Sequence, residues 1–181
     1  MDRSRANKPP IPLEIRRSLV TSLYEDGVSF SLGAVISSMG ALISALRTES
    51  TAIYIIAILL LAIASARSIL ITRFWGKSEP VSSHAEATRW ETYYGIGGVL
   101  YVACLGAWCF FAFYTTDDRF SEIMSLAVAI VYLIGVAGRN FGNSLLVDAQ
   151  LIAIATPLAA GLIMSNEMTN NILCAFLVPF F

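Results

Sequence analysis

Long apolar runs separated by short polar turns dominate this sequence. A helix that crosses a bilayer needs about 20 predominantly apolar residues, and runs of this kind recur along most of the chain. The predicted spans are residues 27–46, 51–72, 89–114, 121–138, 145–164 and a shorter run that begins near residue 168. Because most of the turns are very short, neighbouring spans must return antiparallel. The predicted fold class is therefore all-α integral membrane, an antiparallel bundle of six transmembrane helices.

The composition favours a membrane protein over a soluble one. Charged residues make up 14% of the chain and hydrophobic residues 56%, with a mean hydropathy of +0.69, whereas a soluble domain carries about 25% charged residues. The formal net charge is −1, and binding to nucleic acid needs a concentrated excess of Lys and Arg. We therefore expect the lipid bilayer as a partner and no nucleic acid.

Two regions are expected, a cytoplasmic tail over residues 1–26 and a membrane domain over residues 27–181. The tail has no apolar core with a small-residue cleavage site, so no signal peptide is predicted. The last apolar run holds about 14 residues before the chain ends, which is short of a full span. We therefore expect the sixth span to be truncated at the C-terminus.

The tail contains a helix-forming segment over residues 13–26. Ile15, Leu19 and Leu23 share one face of it, with charged residues elsewhere. The segment is too short and too charged to span a bilayer. Two interpretations stay open: an amphipathic helix that lies on the bilayer surface, and a solvated helical lead-in to the first span.

The distribution of basic residues predicts the orientation. Ten of them fall on or near one side of the predicted bundle: Arg3, Arg5, Lys8, Arg16, Arg17, Arg67, Arg73, Lys77, Arg89 and Arg139. Only Arg47 and Arg119 fall on the other. Since loops rich in Lys and Arg stay in the cytoplasm, both termini are expected there, with the chain in a bacterial cytoplasmic (inner) membrane.

Small residues predict where helices approach each other. The first span carries them at a four-residue spacing that lets another backbone come close: Gly33, Ser37, Ala41 and Ala45. The third span holds Gly95, Gly97 and Gly98 in apolar surroundings, which favour helix packing over a nucleotide loop. Both sets are expected to face protein and not lipid.

A polar interruption follows the fourth apolar run, and Asp148 lies about one turn inside the next span. An unpaired charge there costs up to about 2.5 to 3.5 kcal/mol if it is deep, so a partner is expected. We predict an inner-rim polar cluster of Arg67, Arg139, Asn140, Asn143, Asp148 and Gln150. Arg67 is expected to reach the interface by extending its side chain. Two roles stay open: a latch between helices, and a two-state element that moves on ligand binding.

No catalytic or metal-binding set can be assembled from this sequence. The single histidine, His84, falls in the longest predicted loop, residues 75–88, and the three cysteines form no Cys-x-x-Cys pair. A haem or metal site and a nucleophilic triad are therefore not expected, and neither is any cofactor. Asp117 and Asp118 precede the fourth span, where an acidic residue usually caps a helix, although a cation site is the alternative.

Five short motifs lie in order along the chain. They are Arg89-Trp90-Glu91-x-x-Tyr94-x-x-Gly97, Leu105-Gly106-x-Trp108-Cys109-Phe110, Thr116-Asp117-Asp118, Gly135-Val136-x-Gly138-Arg139-Asn140-Phe141 and Leu177-Val178-Pro179-Phe180-Phe181. Their order and spacing resemble the N-terminal membrane region of certain alphaproteobacterial GGDEF/EAL signalling proteins. The resemblance implies a membrane anchor or sensory input domain for enzymes that make or degrade cyclic di-GMP. It also implies GGDEF/EAL domains as partners in cis or in trans, and a homodimer.

The chain departs from that family in one respect. It contains neither Gly-Gly-Asp-Glu-Phe nor Glu-Ala-Leu, so no cyclase or phosphodiesterase activity is expected in it. Two alternative functions stay open, a small transporter or channel subunit and a scaffold subunit of a membrane complex. A transporter would predict an internal repeat with interrupted helices in matching positions, which the sequence lacks.

Overall fold

A computed structural model of the chain describes residues 12–25, 27–139, 143–165 and 167–177. Over these residues the protein is all-helical, with seven helices and no strand. The helices are α1 (Leu13–Glu25), α2 (Gly27–Thr48), α3 (Thr51–Trp75), α4 (His84–Thr115), α5 (Arg119–Arg139), α6 (Ser144–Met164) and α7 (Met168–Leu177). Four are long and apolar enough to cross a membrane: α2 from Phe30, α3, α4 and α6. The predicted all-helical class with several apolar spans is confirmed.

The largest boundary error in the sequence prediction concerns α4. It begins at His84, five residues before the predicted start, so His84 opens a helix and does not lie in a loop. Ser83 caps the helix by accepting a hydrogen bond from the backbone N–H of Glu86 at 3.3 Å. The Glu86 carboxylate in turn accepts one from the backbone N–H of Ser82 at 2.9 Å. This exchange resembles a capping box, whose Ser-x-x-Glu pattern was readable in the sequence.

α4 is the central element, because α1, α3, α5 and α6 all pack against it. Its 32 residues span about 48 Å at about 1.5 Å per residue, whereas the hydrocarbon core of a bilayer is about 30 Å thick. The middle of α4 is enclosed, with Tyr101, Leu105, Trp108 and Cys109 fully buried. Several turns of α4 must therefore extend beyond the hydrocarbon if its centre lies within it.

Two glycines bring the backbones of α4 and α6 into contact. A Cβ on Gly106 would lie 3.0 Å from the Cα of Ile154, and one on Gly161 would lie 2.8 Å from the Cα of Phe110. Both neighbouring atoms belong to the backbone, which cannot rotate away. Close approach of this kind is how apolar helices gain van der Waals contact in lipid.

The small-residue ridge of α2 also faces protein, as predicted. Ser37, Ala41 and Ala45 are buried, and α2 packs on α3 and α5. Gly33 is the exception, because a Cβ added there would meet no atom within 4 Å.

α1 docks on the bundle through a face that the sequence analysis did not single out. Val20 and Tyr24 are buried, and the Tyr24 ring stacks on Phe74 with centroids 4.2 Å apart. The Tyr24 hydroxyl donates a hydrogen bond to the carbonyl of Trp90 at 2.9 Å. These contacts form a second, aromatic core beside the start of α4.

The predicted apolar face of α1 is mostly outside this contact. Ile15 and Leu19 are 54% and 47% exposed. An ion pair from Arg16 to Glu91, with nitrogen and oxygen 2.8 Å apart, adds to the docking of α1 on α4. α1 therefore has one face on the protein and an apolar edge that remains available to a bilayer surface.

Ion pairs join the turns at the opposite end of the bundle. Arg47, at the end of α2, contacts Asp118 at 2.9 Å, and Arg119 contacts Glu167, just before α7, at 3.1 Å. Asp118 also caps α5 by accepting a hydrogen bond from the backbone N–H of Ser121 at 3.1 Å, so its predicted capping role is confirmed. The hydrogen bond from Arg47, reinforced by those from Ser121, holds the pKa of Asp118 well below its usual range.

Replacing Gly161 by Ala should lower the thermal stability of the purified protein. The new Cβ would press on the backbone of Phe110, and overpacking of this kind costs about 1–3 kcal/mol. The matched control is Gly135→Ala on α5, where an added Cβ meets no atom within 4 Å and alanine favours the helix. Thermal unfolding in detergent checks this. Equal melting temperatures for the two variants would contradict the backbone contact.

Acid should weaken the folded state in part through Asp118. Its pKa is lowered by folding, so its contribution is present above the unfolded value of 3.8 and is lost as the pH falls towards the folded value. We expect the wild-type protein to lose stability relative to Asp118→Asn between about pH 5 and pH 3. Thermal unfolding of both proteins across that range is the measurement. Parallel curves would show that the Asp118 carboxylate makes no net contribution.

Candidate functional site

An arginine is buried where four helices meet. Arg67, on α3, is 6% exposed, and its guanidinium carbon lies 4.1 Å from the ring centroid of Phe30 on α2. The same carbon is 5.2 Å from the ring centroid of Tyr94 on α4. One guanidinium nitrogen donates a hydrogen bond to the hydroxyl of Tyr132, on α5, at 3.1 Å. Arg67 is therefore enclosed by groups from three neighbouring helices, and its predicted extension to the interface stays a prediction.

Two adjacent glycines on α4 make room for polar side chains from both sides. A Cβ on Gly97 would lie 3.1 Å from the Cγ of Arg67, and one on Gly98 would lie 2.5 Å from the Nε2 of Gln150 on α6. Gln150 is 1% exposed. Of the three glycines predicted to serve helix packing, Gly97 and Gly98 do so and bring Arg67 and Gln150 to the same level of α4, while Gly95 lies beside the Leu146 side chain.

Neutral groups, namely aromatic faces and a hydroxyl, stabilise the positive charge of Arg67. Within the part of the chain that the structure describes, no carboxylate oxygen lies within 4.0 Å of its guanidinium. A desolvated cation–π contact is worth about 2 kcal/mol, whereas removing an ion from water costs several kcal/mol. A buried cation of this kind is costly, and inside a membrane such residues usually mark functional sites.

Further hydroxyl groups extend the site towards α2. The hydroxyl of Tyr101, on α4, shares a hydrogen bond with that of Ser37 on α2, and the ring of Tyr101 lies 5.1 Å from that of Tyr132. We define the polar layer as these residues together with those already described: Ser37, Arg67, Tyr101, Tyr132 and Gln150. Each of the five helices from α2 to α6 contributes one member.

The structure brings together only part of the predicted inner-rim cluster. Asn143 is exposed and caps α6, its side chain accepting a hydrogen bond from the backbone N–H of Leu146 at 3.2 Å. Asp148 is exposed on α6 and makes no ion pair with Arg67. The side chain of Arg139 and all of Asn140 lie outside the described residues. The cluster as a whole stays a prediction.

Sequence reasoning missed the hydroxyl groups of the polar layer. Ser37 was predicted only to be a small packing residue, and no role was predicted for Tyr101 or Tyr132, which lie within apolar spans. A tyrosine near the centre of a span, away from the interface belts where it normally lies, is the signal that could have identified them.

A cavity of about 660 Å³ lies between α3 and α4. We call it the α3–α4 groove; Arg67 and Gly97 line its wall, and Arg73, Lys77 and Arg89 line it nearer the loop between the helices. Among the residues described, no group of three or more histidine, cysteine or acidic side chains is placed to hold a metal ion. The basic side chains at the loop end of the groove can receive an anion, and the aliphatic side chains further along can receive an apolar chain.

No protein-family model matches this chain, and no curated protein or solved structure is significantly similar to it.

The hydroxyl of Tyr132 should stabilise the protein in part through Arg67. Tyr132→Phe removes the only hydroxyl bonded to the guanidinium among the described residues, and a hydrogen bond to a charged group contributes about 1.5–3 kcal/mol. Tyr114→Phe, at a tyrosine 47% exposed on α4, is the matched control and should be nearly neutral.

A double-mutant cycle with Arg67→Met separates this contact from others made by Tyr132. The double variant should lose less thermal stability than the two single variants together, because both remove the same bond. Strict additivity would show that the two side chains do not stabilise each other.

Proposed function

We propose that this chain is a membrane anchor and sensory input module that regulates cytoplasmic enzymes of cyclic di-GMP metabolism, in cis or in trans. The observation that carries the proposal is the buried Arg67, whose neutral partners come from three other helices. A shift of any of these helices changes how well the charge is stabilised. An element of this kind can hold two arrangements, and a ligand that favours one of them shifts the population.

The proposed topology has six antiparallel spans in a bacterial inner membrane, with both termini in the cytoplasm. The excess of basic residues at the end that holds α1 and the α3–α4 loop supports this orientation. α5 supplies the fourth span, since its 21 residues extend about 31 Å. α7 supplies the sixth.

Residues of the first motif in the family resemblance, Arg89 to Gly97, also form contacts between α4 and its neighbours. Trp90 and Tyr94 lie in the aromatic core beside α1, and Glu91 pairs with Arg16. Gly97 accommodates Arg67. These roles support the proposal, because positions that determine how helices meet are the ones that a related input domain would share.

Arg67→Met should change cyclic di-GMP output without unfolding the protein. Methionine keeps an apolar side chain of similar reach, and replacing a buried ionic group by a well-packed apolar one is often neutral or stabilising. With the variant in the chromosomal gene, we expect the cellular cyclic di-GMP level to shift several-fold, measured by mass spectrometry of nucleotide extracts. Arg119→Met is the matched control, since that side chain is 63% exposed at the opposite end.

Membrane abundance and thermal stability of both variants are measured beside the nucleotide level. If the Arg67→Met protein is stable and normally abundant but the cellular cyclic di-GMP level is unchanged, the signalling proposal is contradicted.

A further inference from the structure

The α3–α4 groove changes in polarity along its length. On α3 the lining residues follow one helix face at spacings of three or four, and they run from Arg73 through Leu70 and Ala66 to Ile63. The end next to the loop is therefore basic and the far end aliphatic. Ten residues of helix separate the first from the last, which is about 15 Å and half of the roughly 30 Å hydrocarbon core.

The facing row on α4 repeats this gradient. It runs from Arg89 through Tyr93 to Ile96 and Leu100, again at spacings of three or four. Ile96 and Leu100 are 55% and 51% exposed, so the aliphatic part of the groove opens to the side of the bundle. Two parallel rows with the same gradient form a channel with the length and polarity of one bilayer leaflet.

The loop end of the groove, which we call its basic mouth, carries more basic than acidic side chains. Lys77 lies 3.9 Å from Glu86, a long ion pair, while Arg89 donates a hydrogen bond to the hydroxyl of Tyr93 at 2.9 Å. Within the described residues neither Arg73 nor Arg89 has a carboxylate oxygen within 4.0 Å. Three basic side chains and one acidic side chain therefore face the opening.

We propose that the α3–α4 groove binds one anionic phospholipid of the adjacent leaflet. Arg73, Lys77 and Arg89 bind its phosphate through charge-assisted hydrogen bonds, and an acyl chain lies along the aliphatic rows. Basic pockets between spans on the cytoplasmic side suit anionic headgroups, whereas a zwitterionic lipid brings a cation of its own. The inference rests on the membrane topology of the proposed function, and it names the ligand class of that module.

The test measures lipid affinity of the full-length chain purified in detergent. The probes are phosphatidylglycerol, phosphatidylcholine and inorganic phosphate, with bound lipid counted by native mass spectrometry and phosphate tested as a competitor. We expect phosphatidylglycerol to bind at least tenfold more tightly than phosphatidylcholine, and phosphate at the same concentrations not to displace it.

Removing the cations should weaken this binding. Each is expected to contribute about fivefold, so the triple variant Arg73→Gln/Lys77→Gln/Arg89→Gln should lose roughly a hundredfold. The control is Arg47→Gln/Arg119→Gln, which removes exposed basic residues at the other end of the bundle and should leave phosphatidylglycerol affinity unchanged.

A second variant tests the acyl part of the groove without changing charge. Ala66→Trp fills the aliphatic stretch and should weaken phosphatidylglycerol binding at least tenfold. Ser65→Trp, also exposed on α3 but on a different helix face outside the groove, should have no effect. Because Ala66 and Ser65 are both exposed, neither tryptophan has to enter the core.

Three outcomes would overturn the lipid site. They are equal affinity for the two lipids, an affinity that neither groove variant changes, and displacement by inorganic phosphate, which would indicate a site for the headgroup alone. This result is independent of the cyclic di-GMP measurement. Selective lipid binding with an unaltered nucleotide level in Arg67→Met would refute only the signalling role, and the reverse pattern would refute only the lipid site.

Discussion

Apolar helices in lipid gain little from burying hydrocarbon against hydrocarbon, so they associate where backbones approach closely and where polar side chains find partners. In this protein α4 supplies both kinds of contact. Gly106 lets α6 come within backbone contact, and Gly97 and Gly98 leave the space that Arg67 and Gln150 occupy. The placement of α3, α6 and the polar layer follows from these positions on one helix.

The two ends of the bundle are held by different forces. At one end, ion pairs between short turns, such as that of Arg47 with Asp118, are reached by solvent, and solvent-screened pairs contribute little to stability. At the other end, α1 docks through Tyr24 and the buried rings of Phe74 and Trp90. Burial of aromatic surface is the larger contribution, so the end with the basic residues is also the better packed.

The groove and the polar layer share Arg67. Its guanidinium contacts Phe30, Tyr94 and Tyr132 inside the bundle, while its side chain and Gly97 form part of the groove wall. A molecule that separates α3 from α4 would therefore alter the surroundings of the buried charge directly. This provides a short physical connection between the proposed lipid site and the proposed sensory role, with no intermediate residue needed.

Local sequence features were enough to predict most of the helices. Backbone groups in a bilayer must be satisfied within each segment, so apolar length and local turn residues were enough to predict α2, α3 and α6 closely. The early start of α4 was also encoded locally, in Ser83 and Glu86. The rotation of each helix about its axis, in contrast, depends on contacts between helices. Arg67 points inward because aromatic residues from three other helices surround its guanidinium. Asp148 points outward, and none of the described contacts holds its side chain inside the bundle. Such long-range contacts leave no periodic signal in a chain whose spans are apolar on every side.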